Sequence, residues 1–251
     1  MTQAWWRFSP LLFWLSGLVL FPVLAWQGRA ARRDTPRLPE ASGADSGQWG
    51  DGVPAQRLLV IGESTAAGVG VREHVQGLAS RLAQTIHQNQ GATVGWQTLG
   101  RNGARLAEVI DAVAHASLLP ADRVLLSMGV NDTTGFTRLG QYRKRLRQLA
   151  DELAPRFPAP LVLLSVPPMH RFTALPQPLR LMMGWRARQV DQVKRDLAGR
   201  FPETFFYIGY PPMTDTALLA SDGYHPGALG YRAMAEAIAS QLAPLMRLTP
   251  L

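Results

Sequence analysis

Asp222 and His225 lie three residues apart in the segment Ser221-Asp-Gly-Tyr-His-Pro226, near the end of this 251-residue chain. A carboxylate at this spacing can accept a hydrogen bond from the imidazole and select its tautomer, which leaves the other ring nitrogen free as a base. The same residues would also make an ordinary turn before a helix. The pair therefore predicts general-base chemistry only if a nucleophile lies nearby.

Ser64 is the candidate nucleophile, in the segment Gly62-Glu-Ser-Thr-Ala-Ala-Gly-Val-Gly70. The segment is not a phosphate-binding loop, because no Lys follows its glycines, and it is not a dinucleotide motif, because Glu73 stands at the position of the third Gly. It is not the GxSxG turn of α/β-hydrolases, because Ala66 replaces the second Gly. Taken alone, a Ser here is more often a helix cap than a nucleophile.

Two further residues could stabilise an oxyanion that develops on a substrate. Gly103 ends the segment Leu99-Gly-Arg-Asn-Gly103 and could offer its backbone N–H, whereas Asn131, in Ser127-Met-Gly-Val-Asn-Asp132, could offer its side-chain amide. Each also has an ordinary interpretation, since glycine suits a turn with positive φ and asparagine is common in turns and caps.

The elements that must position these residues alternate along the chain. Short apolar runs typical of strands are separated by stretches with helical periodicity, which predicts a parallel, doubly wound sheet with helical crossovers. Reactive groups in such a sheet are expected on the loops at the carboxyl ends of the strands. The five predicted strands are Arg57–Ile61, Thr93–Leu99, Arg123–Met128, Leu161–Val166 and Phe205–Ile208.

The four segments in this order closely resemble the SGNH, or GDSL-type, hydrolases over roughly residues 56–242. The resemblance implies a three-layer α/β/α, flavodoxin-like fold and ester hydrolysis through an acyl-enzyme. It makes Ser64 the nucleophile, His225 the general base and Asp222 its orienting carboxylate. The implied oxyanion hole comprises the backbone N–H groups of Ser64 and Gly103 and the side-chain amide of Asn131. No cofactor and no metal are implied.

Glu63 departs from the family pattern, which has Asp directly before the Ser. The position is structural in the implied mechanism. We therefore expect the extra methylene to affect the geometry of the loop rather than the activity.

The composition excludes several classes of function. Because the chain has no Cys, it has no disulfide framework, thiolate metal site, lipidated Cys anchor or Cys nucleophile. The net charge of +8 comes mainly from Arg residues that are scattered along the chain without a basic tail. This pattern predicts contact with an anionic membrane surface rather than with nucleic acid, and it leaves the oligomeric state open.

Residues 1–27 are predicted to form a membrane anchor, since no charged residue occurs from Phe8 to Gly28 and Trp5, Trp6 and Trp26 lie near its ends. A retained anchor is favoured over a cleaved signal peptide, which has a shorter apolar core, and over a buried core helix. The Pro-, Gly- and Ser-containing residues 28–55 predict a flexible linker, and residues 56–251 the hydrolase domain.

These features predict a single-pass protein of a bacterial inner membrane. The side of the membrane stays open. The Arg residues that follow the span favour a cytoplasmic domain by their charge, whereas many relatives in the resembled family work outside the cytoplasm.

The predicted function is a membrane-tethered serine esterase acting on a small-molecule, lipid or saccharide ester. One alternative is an acyltransferase or deacetylase that acts on a cell-envelope saccharide, and another is a non-catalytic, membrane-anchored binding module. The apolar segment 167–185 could line an acyl pocket or contact lipid, although a core role is favoured. The basic helix starting near Arg138 is predicted to be amphipathic with a solvated face.

Overall fold

The computed structural model describes residues 10–213 and 215–246 of the chain. Among them, one sheet contains β1 (Ser46–Trp49), β2 (Gln56–Gly62), β3 (Val94–Gly100), β4 (Arg123–Ser127), β5 (Leu161–Leu164) and β6 (Phe205–Ile208). Their order across the sheet is β1-β3-β2-β4-β5-β6. Strands β2 to β6 are parallel, whereas β1 pairs antiparallel with β3 at the edge. The five predicted parallel strands are confirmed at nearly the predicted bounds.

Strand β1 makes the sheet mixed rather than all-parallel, and no pattern in the sequence predicted this strand. Its four residues, Ser-Gly-Gln-Trp, show no apolar alternation, and they lie in the segment that was expected to be a flexible linker. Backbone pairing with β3, from Ser46–Gln97 to Trp49–Val94, holds the strand in place instead. The order of the parallel strands is the flavodoxin-like one.

Helices cover both faces of the sheet. Among the described residues, the α-helices are α1 (Pro10–Val19), α2 (Phe21–Asp34), α3 (Leu78–Gln90), α4 (Leu106–His115), α5 (Val130–Thr134), α6 (Leu139–Leu153), α7 (Leu179–Arg200) and α8 (Ala228–Met246). Helices α4, α6 and α7 pack against one face of the sheet and α3 and α8 against the other, which gives the predicted three layers.

Strand β2 illustrates why the sequences of the parallel strands are continuous apolar runs. Leu59 and Ile61 point into the core beneath α4, α6 and α7, whereas Leu58 and Val60 point into the core beneath α3 and α8. Both faces are therefore buried. Because β3 lies on one side of β2 and β4 on the other, a crevice is expected between the carboxyl ends of β2 and β4. Ser64 and Asn131 follow these two ends.

The N-terminal segment is two helices, not the single predicted membrane helix. No helix within residues 10–213 and 215–246 can cross a membrane by itself; only α1 and α2 together are long and apolar enough, and they are bent by 80°. Pro22, near the start of α2, explains the break, because proline lacks the N–H that a continuous helix needs and its ring clashes with the preceding turn. Trp5 and Trp6 lie outside the described residues.

The segment predicted to be a flexible linker is also partly ordered. Helix α2 continues to Asp34, and the sheet begins at Ser46 rather than at Gln56. In the predicted basic helix, the apolar stripe containing Tyr142 and Leu146 is buried, as expected for an amphipathic α6. Met182 and Met183 of α7 are core residues, also as expected.

Candidate active site

Asp222 and His225 form a hydrogen-bonded pair on the turn before α8. Nδ1 of His225 lies 2.5 Å from Oδ2 of Asp222, and Oδ1 accepts the backbone N–H groups of Tyr224 and His225 at 3.0 Å each. Burial disfavours the charged carboxylate, but the hydrogen bonds from the His225 ring and from these two N–H groups outweigh it and lower the pKa of Asp222. Because an ionised carboxylate only accepts, Nδ1 is the donor in this hydrogen bond, and Nε2 is the nitrogen that a neutral imidazole would offer as a base.

Ser64 lies directly after β2, in a turn that keeps its backbone N–H available. Ala67 N–H donates to the Glu63 carbonyl and Val69 N–H to the Ser64 carbonyl, both at 3.0 Å. Within the described part of the chain, the Ser64 N–H donates to no other group. The carboxyl end of β3 packs against this turn, since a Cβ added at Gly100 would lie 2.1 Å from the Ala67 nitrogen.

Two contacts hold the segment after Ser64 against the segment around His225. A Cβ at Gly70 would lie 2.2 Å from the Pro226 carbonyl oxygen, so the two backbones meet at a position that only glycine fits. The buried Tyr231 hydroxyl, on α8, donates to the Val69 carbonyl at 2.7 Å. The structure therefore brings together the two loops that carry the predicted nucleophile and base.

Gly103 and Asn131, the other two predicted oxyanion donors, lie in segments that contact each other. Gly103 has a φ of +77° and lies in an exposed turn, and its N–H has no partner among residues 10–213 and 215–246. One side-chain N–H of Asn131 donates at 3.1 Å to the carbonyl of Ala104, the residue that follows Gly103. The other amide hydrogen of Asn131 has no partner in the part of the chain that the structure describes.

Glu63 connects Ser64 to Asn131. Its buried carboxylate accepts the backbone N–H of Val130 at 2.8 Å and that of Asn131 at 2.9 Å, at the start of α5. Burial raises the pKa of Glu63 to about 7, against the effects of these two hydrogen bonds and of nearby Lys194. The longer side chain that departs from the family pattern thus fixes the backbone of Asn131, whose side-chain amide is a predicted oxyanion donor.

Lys194 was not recognised in the sequence. It lies on α7 with no exposed surface, and its Nζ donates to the carbonyls of Met128 and Leu164 at 2.5 Å each, at the carboxyl ends of β4 and β5. Burial lowers its pKa to about 8, although the nearby carboxylates favour its charged form. The burial of Lys194 could have been predicted from the sequence, because Lys194 falls on the same helical stripe as the apolar Val190 and Leu197, which are also buried.

The other four histidines, expected to be surface or packing residues, show no Asp partner like that of His225. His87 Nδ1 contacts the Ala92 carbonyl, exposed His115 contacts Asp111 in its own helix, and His170 lies beside Arg188. No group of three or more His, Asp or Glu residues in the described ranges could hold a metal ion. A surface groove of about 380 Å³ lies elsewhere and includes none of the predicted site residues; its walls include Ser42, Trp49, His74 and Trp96.

Comparison with known proteins decides the family, since residues 60–233 match the GDSL-like lipase/acylhydrolase family. The chain belongs to this family. It is 28% identical over 238 residues to a GDSL-like esterase of Mycobacterium tuberculosis, covering 85% of this chain and 74% of that protein. As a member of the GDSL family, it is a serine hydrolase that acts on ester bonds.

Solved structures of the same fold include hydrolases and a transferase. A lipase/acylhydrolase from Enterococcus faecalis is 18% identical with a TM-score of 0.55, over 78% of this chain and 98% of that one. A variant of the acetyl xylan esterase Axe2 from Geobacillus stearothermophilus is 19% identical with a TM-score of 0.52, over 75% and 95%. The salicylyl-acyltransferase SsfX3 is 20% identical with a TM-score of 0.57, over 79% and 57%.

Proposed function

We propose that this protein is a membrane-tethered serine esterase that hydrolyses carboxylic esters through an acyl-enzyme on Ser64. The observation that carries the proposal is the hydrogen bond between buried Asp222 and His225, on a loop packed against the loop of Ser64. The N–H groups of Ser64 and Gly103 and the amide of Asn131 supply the donors that such a reaction needs.

The residues act in two steps. His225 Nε2 removes the proton of the Ser64 hydroxyl as its oxygen attacks the ester carbonyl, while Asp222 holds the imidazole and stabilises its positive charge. The three N–H donors stabilise the oxyanion, and each contributes about 2.7–4 kcal/mol in comparable sites. His225 then protonates the departing alcohol. In the second step it activates a water that releases the acid and regenerates Ser64.

Labelling with a fluorophosphonate probe and hydrolysis of p-nitrophenyl esters test this mechanism. Wild-type protein is expected to be labelled on Ser64, and Ser64→Ala and His225→Ala to lose about 10⁴-fold or more in kcat while remaining folded. His115→Ala removes an exposed imidazole on α4 and serves as the matched control, with unchanged activity. Turnover that survives Ser64→Ala would contradict the proposal.

An acyltransferase or deacetylase acting on a cell-envelope saccharide is the second candidate. It is favoured by the neighbours in the fold, which include an acetyl xylan esterase and a salicylyl-acyltransferase. A transferase would pass the acyl group from Ser64 to an acceptor alcohol instead of water. Product analysis with added acceptor sugars separates the two, since a transferase yields acylated sugar and an esterase only free acid.

Membrane attachment is proposed through α1 and α2. Their outward surface carries large apolar side chains, among them Leu18, Val19, Phe21 and Trp26, which are at least 64% exposed. Exposed Arg29 follows near the end of this surface. An apolar face flanked by cations and aromatic rings suits an anionic bilayer surface.

Flotation of the full chain with vesicles of phosphatidylcholine and phosphatidylglycerol tests this attachment. A Trp14→Ser, Trp26→Ser double variant is expected to lower the bound fraction, because both indoles are exposed on these helices. Val53→Ser removes a still more exposed apolar side chain from another part of the surface and is expected to change nothing. If wild-type protein stays with the vesicle-free fraction, the tether is wrong. A reporter fused after Leu251 then identifies the side of the inner membrane.

A further inference from the structure

The segment between α2 and β1 touches both loops of the candidate active site that carry backbone oxyanion donors. Ala41 N–H donates to the Ala67 carbonyl at 2.9 Å, in the turn that follows Ser64. One residue earlier, the Glu40 carboxylate accepts the backbone N–H of Asn102 at 2.6 Å, in the turn that contains Gly103. A segment expected to act as a linker therefore lies against the site.

The turn around Gly103 needs support from outside, because its own hydrogen bonds are few. The Arg101 N–H reaches the Gly62 carbonyl at 3.2 Å, and the Ala104 N–H closes the turn on the Arg101 carbonyl, also at 3.2 Å. Both distances lie at the long end for N–H···O bonds. A Cβ added at Gly103 would meet nothing within 4 Å, so no packing restrains the residue itself.

Two hydrogen bonds with side chains of other segments flank Gly103, one on either side. After it, the Ala104 carbonyl accepts the Asn131 amide at 3.1 Å. Before it, the Asn102 N–H donates to the Glu40 carboxylate at 2.6 Å, a short hydrogen bond to an ionised acceptor. Because the Gly103 nitrogen belongs to the peptide between Asn102 and Gly103, restraining its neighbours sets the direction of its N–H.

We propose that Glu40 is a positioning residue of the oxyanion hole, which holds the Gly103 N–H in the direction that the substrate oxygen requires. The inference rests on the proposed function and extends its site to a residue outside the family match, which begins at residue 60. Glu40 and Glu63 then have parallel roles. One carboxylate fixes the backbone beside Gly103, and the other fixes the backbone of Asn131.

Glu40 acts through geometry rather than through charge. Its side chain is exposed, so water screens its negative charge from the oxyanion. The amide oxygen of a Gln at this position can still accept the Asn102 N–H, whereas Ala cannot. Glu40→Gln and Glu40→Ala therefore separate the hydrogen bond from the charge.

The test compares these variants in the full-length chain with p-nitrophenyl acetate as the probe. Glu40→Ala is expected to lower kcat about tenfold with KM within about twofold, a smaller loss than the 10²–10³-fold for removing a donor outright. Glu40→Gln is expected to keep most of the activity.

Asp122→Ala is the matched control. Asp122 is another exposed carboxylate that accepts a backbone N–H, from Arg57 at 2.7 Å, but at the amino ends of β2 and β4. It is expected to share any small loss of thermal stability and to leave kcat unchanged. If Glu40→Ala loses no more kcat than Asp122→Ala, or changes only KM, Glu40 does not position the oxyanion hole.

Amide hydrogen exchange in residues 101–105 gives a readout that does not depend on turnover. Exchange there is expected to be faster in Glu40→Ala and unchanged in Glu40→Gln and Asp122→Ala, and equal exchange in all four proteins overturns the inference. If wild-type protein is not labelled at Ser64, the esterase proposal fails, while exchange still reports whether Glu40 holds the turn.

Discussion

Ionisable side chains that are buried beneath the candidate site hold the backbone of the surrounding loops through hydrogen bonds. Glu63 accepts two N–H groups at the start of α5, and Lys194 donates to carbonyls at the ends of β4 and β5. Asp132 accepts the first N–H of α4, from Leu106, at 3.0 Å. These buried side chains therefore join the loops of the candidate site to one another.

Glu63→Gln is expected to lower kcat about tenfold with little change in KM. The amide keeps one acceptor but turns an NH₂ group toward either Val130 or Asn131, whose backbone N–H is then left unpaired. Glu63→Asp keeps both acceptor oxygens and is expected to retain more activity. Steady-state kinetics on p-nitrophenyl acetate measure the effect, and equal losses in the two variants would contradict it.

The raised pKa of Glu63 also predicts how stability depends on pH. Folding raises this pKa from the ordinary 4.5 to about 7, so in that window the folded state binds more protons than the unfolded state. The contribution of Glu63 to the free energy of unfolding is fully present below pH 4.5 and is lost as pH rises through 7. The free energy of unfolding of wild type relative to Glu63→Gln should fall by up to about 3 kcal/mol between pH 4.5 and 8, measured by urea denaturation. A difference between the two proteins that does not change with pH would contradict this prediction.

At the scale of elements, glycines set how closely the active-site loops approach each other. Gly62 and Gly100 lie where added Cβ atoms would be 2.1 Å from neighbouring backbone, and Gly70 lies against Pro226. Such approaches allow loops from β2, β3 and the turn before α8 to meet at one edge of the sheet. The position of His225 relative to Ser64 depends on the contact at Gly70.

Gly70→Ala is therefore expected to reduce kcat at least tenfold and to destabilise the fold by several kcal/mol, because the new Cβ pushes the loop of Ser64 away from the loop of His225. Gly91→Ala is the control, since Gly91 also has a positive φ of 69° but nothing within 4 Å of an added Cβ. It should cost only about 1 kcal/mol, with kcat unchanged. Thermal melts and kinetics of both variants measure the difference, and similar kcat losses would contradict the argument.

At the scale of the whole molecule, α1 and α2 rest on the catalytic domain rather than extending away from it. Phe13 is buried against Trp185, with ring centroids 5.5 Å apart. Gln27 is buried as well, and its side chain donates to the Gln177 carbonyl at 2.6 Å and accepts the Leu179 N–H, at the start of α7, at 3.0 Å. Membrane attachment through these helices would bring the catalytic domain close to the bilayer.

Gln27→Ala is expected to loosen this docking without affecting the sheet. It removes both hydrogen bonds and leaves the first N–H of α7 without its cap, a loss of about 1–2 kcal/mol. Amide exchange should become faster in α2 and in residues 177–181 while β2 and β4 remain protected. Gln48→Ala, at an exposed side chain of β1, is the control. Unchanged exchange in α2 would show that Gln27 does not hold the helices.

The parallel sheet and most residues of the candidate site could be predicted from the sequence. Continuous apolar strands and helical periodicity are local patterns, and Ser64, Asp222 and His225 stand in short segments whose order along the chain resembles the GDSL-type hydrolases. Glycine in Gly103 and the amide in Asn131 were recognisable for the same reason.

Features that depend on residues far apart in the chain emerge only once the chain is folded. Strand β1 exists through backbone pairing with β3, and Glu40 meets Asn102 across 62 positions. The roles of Glu63 and Lys194 depend on burial, which places an ionisable group among backbone partners from other loops. The docking of Gln27 on the start of α7 likewise arises from packing, which an apolar stretch read as a single helix does not contain.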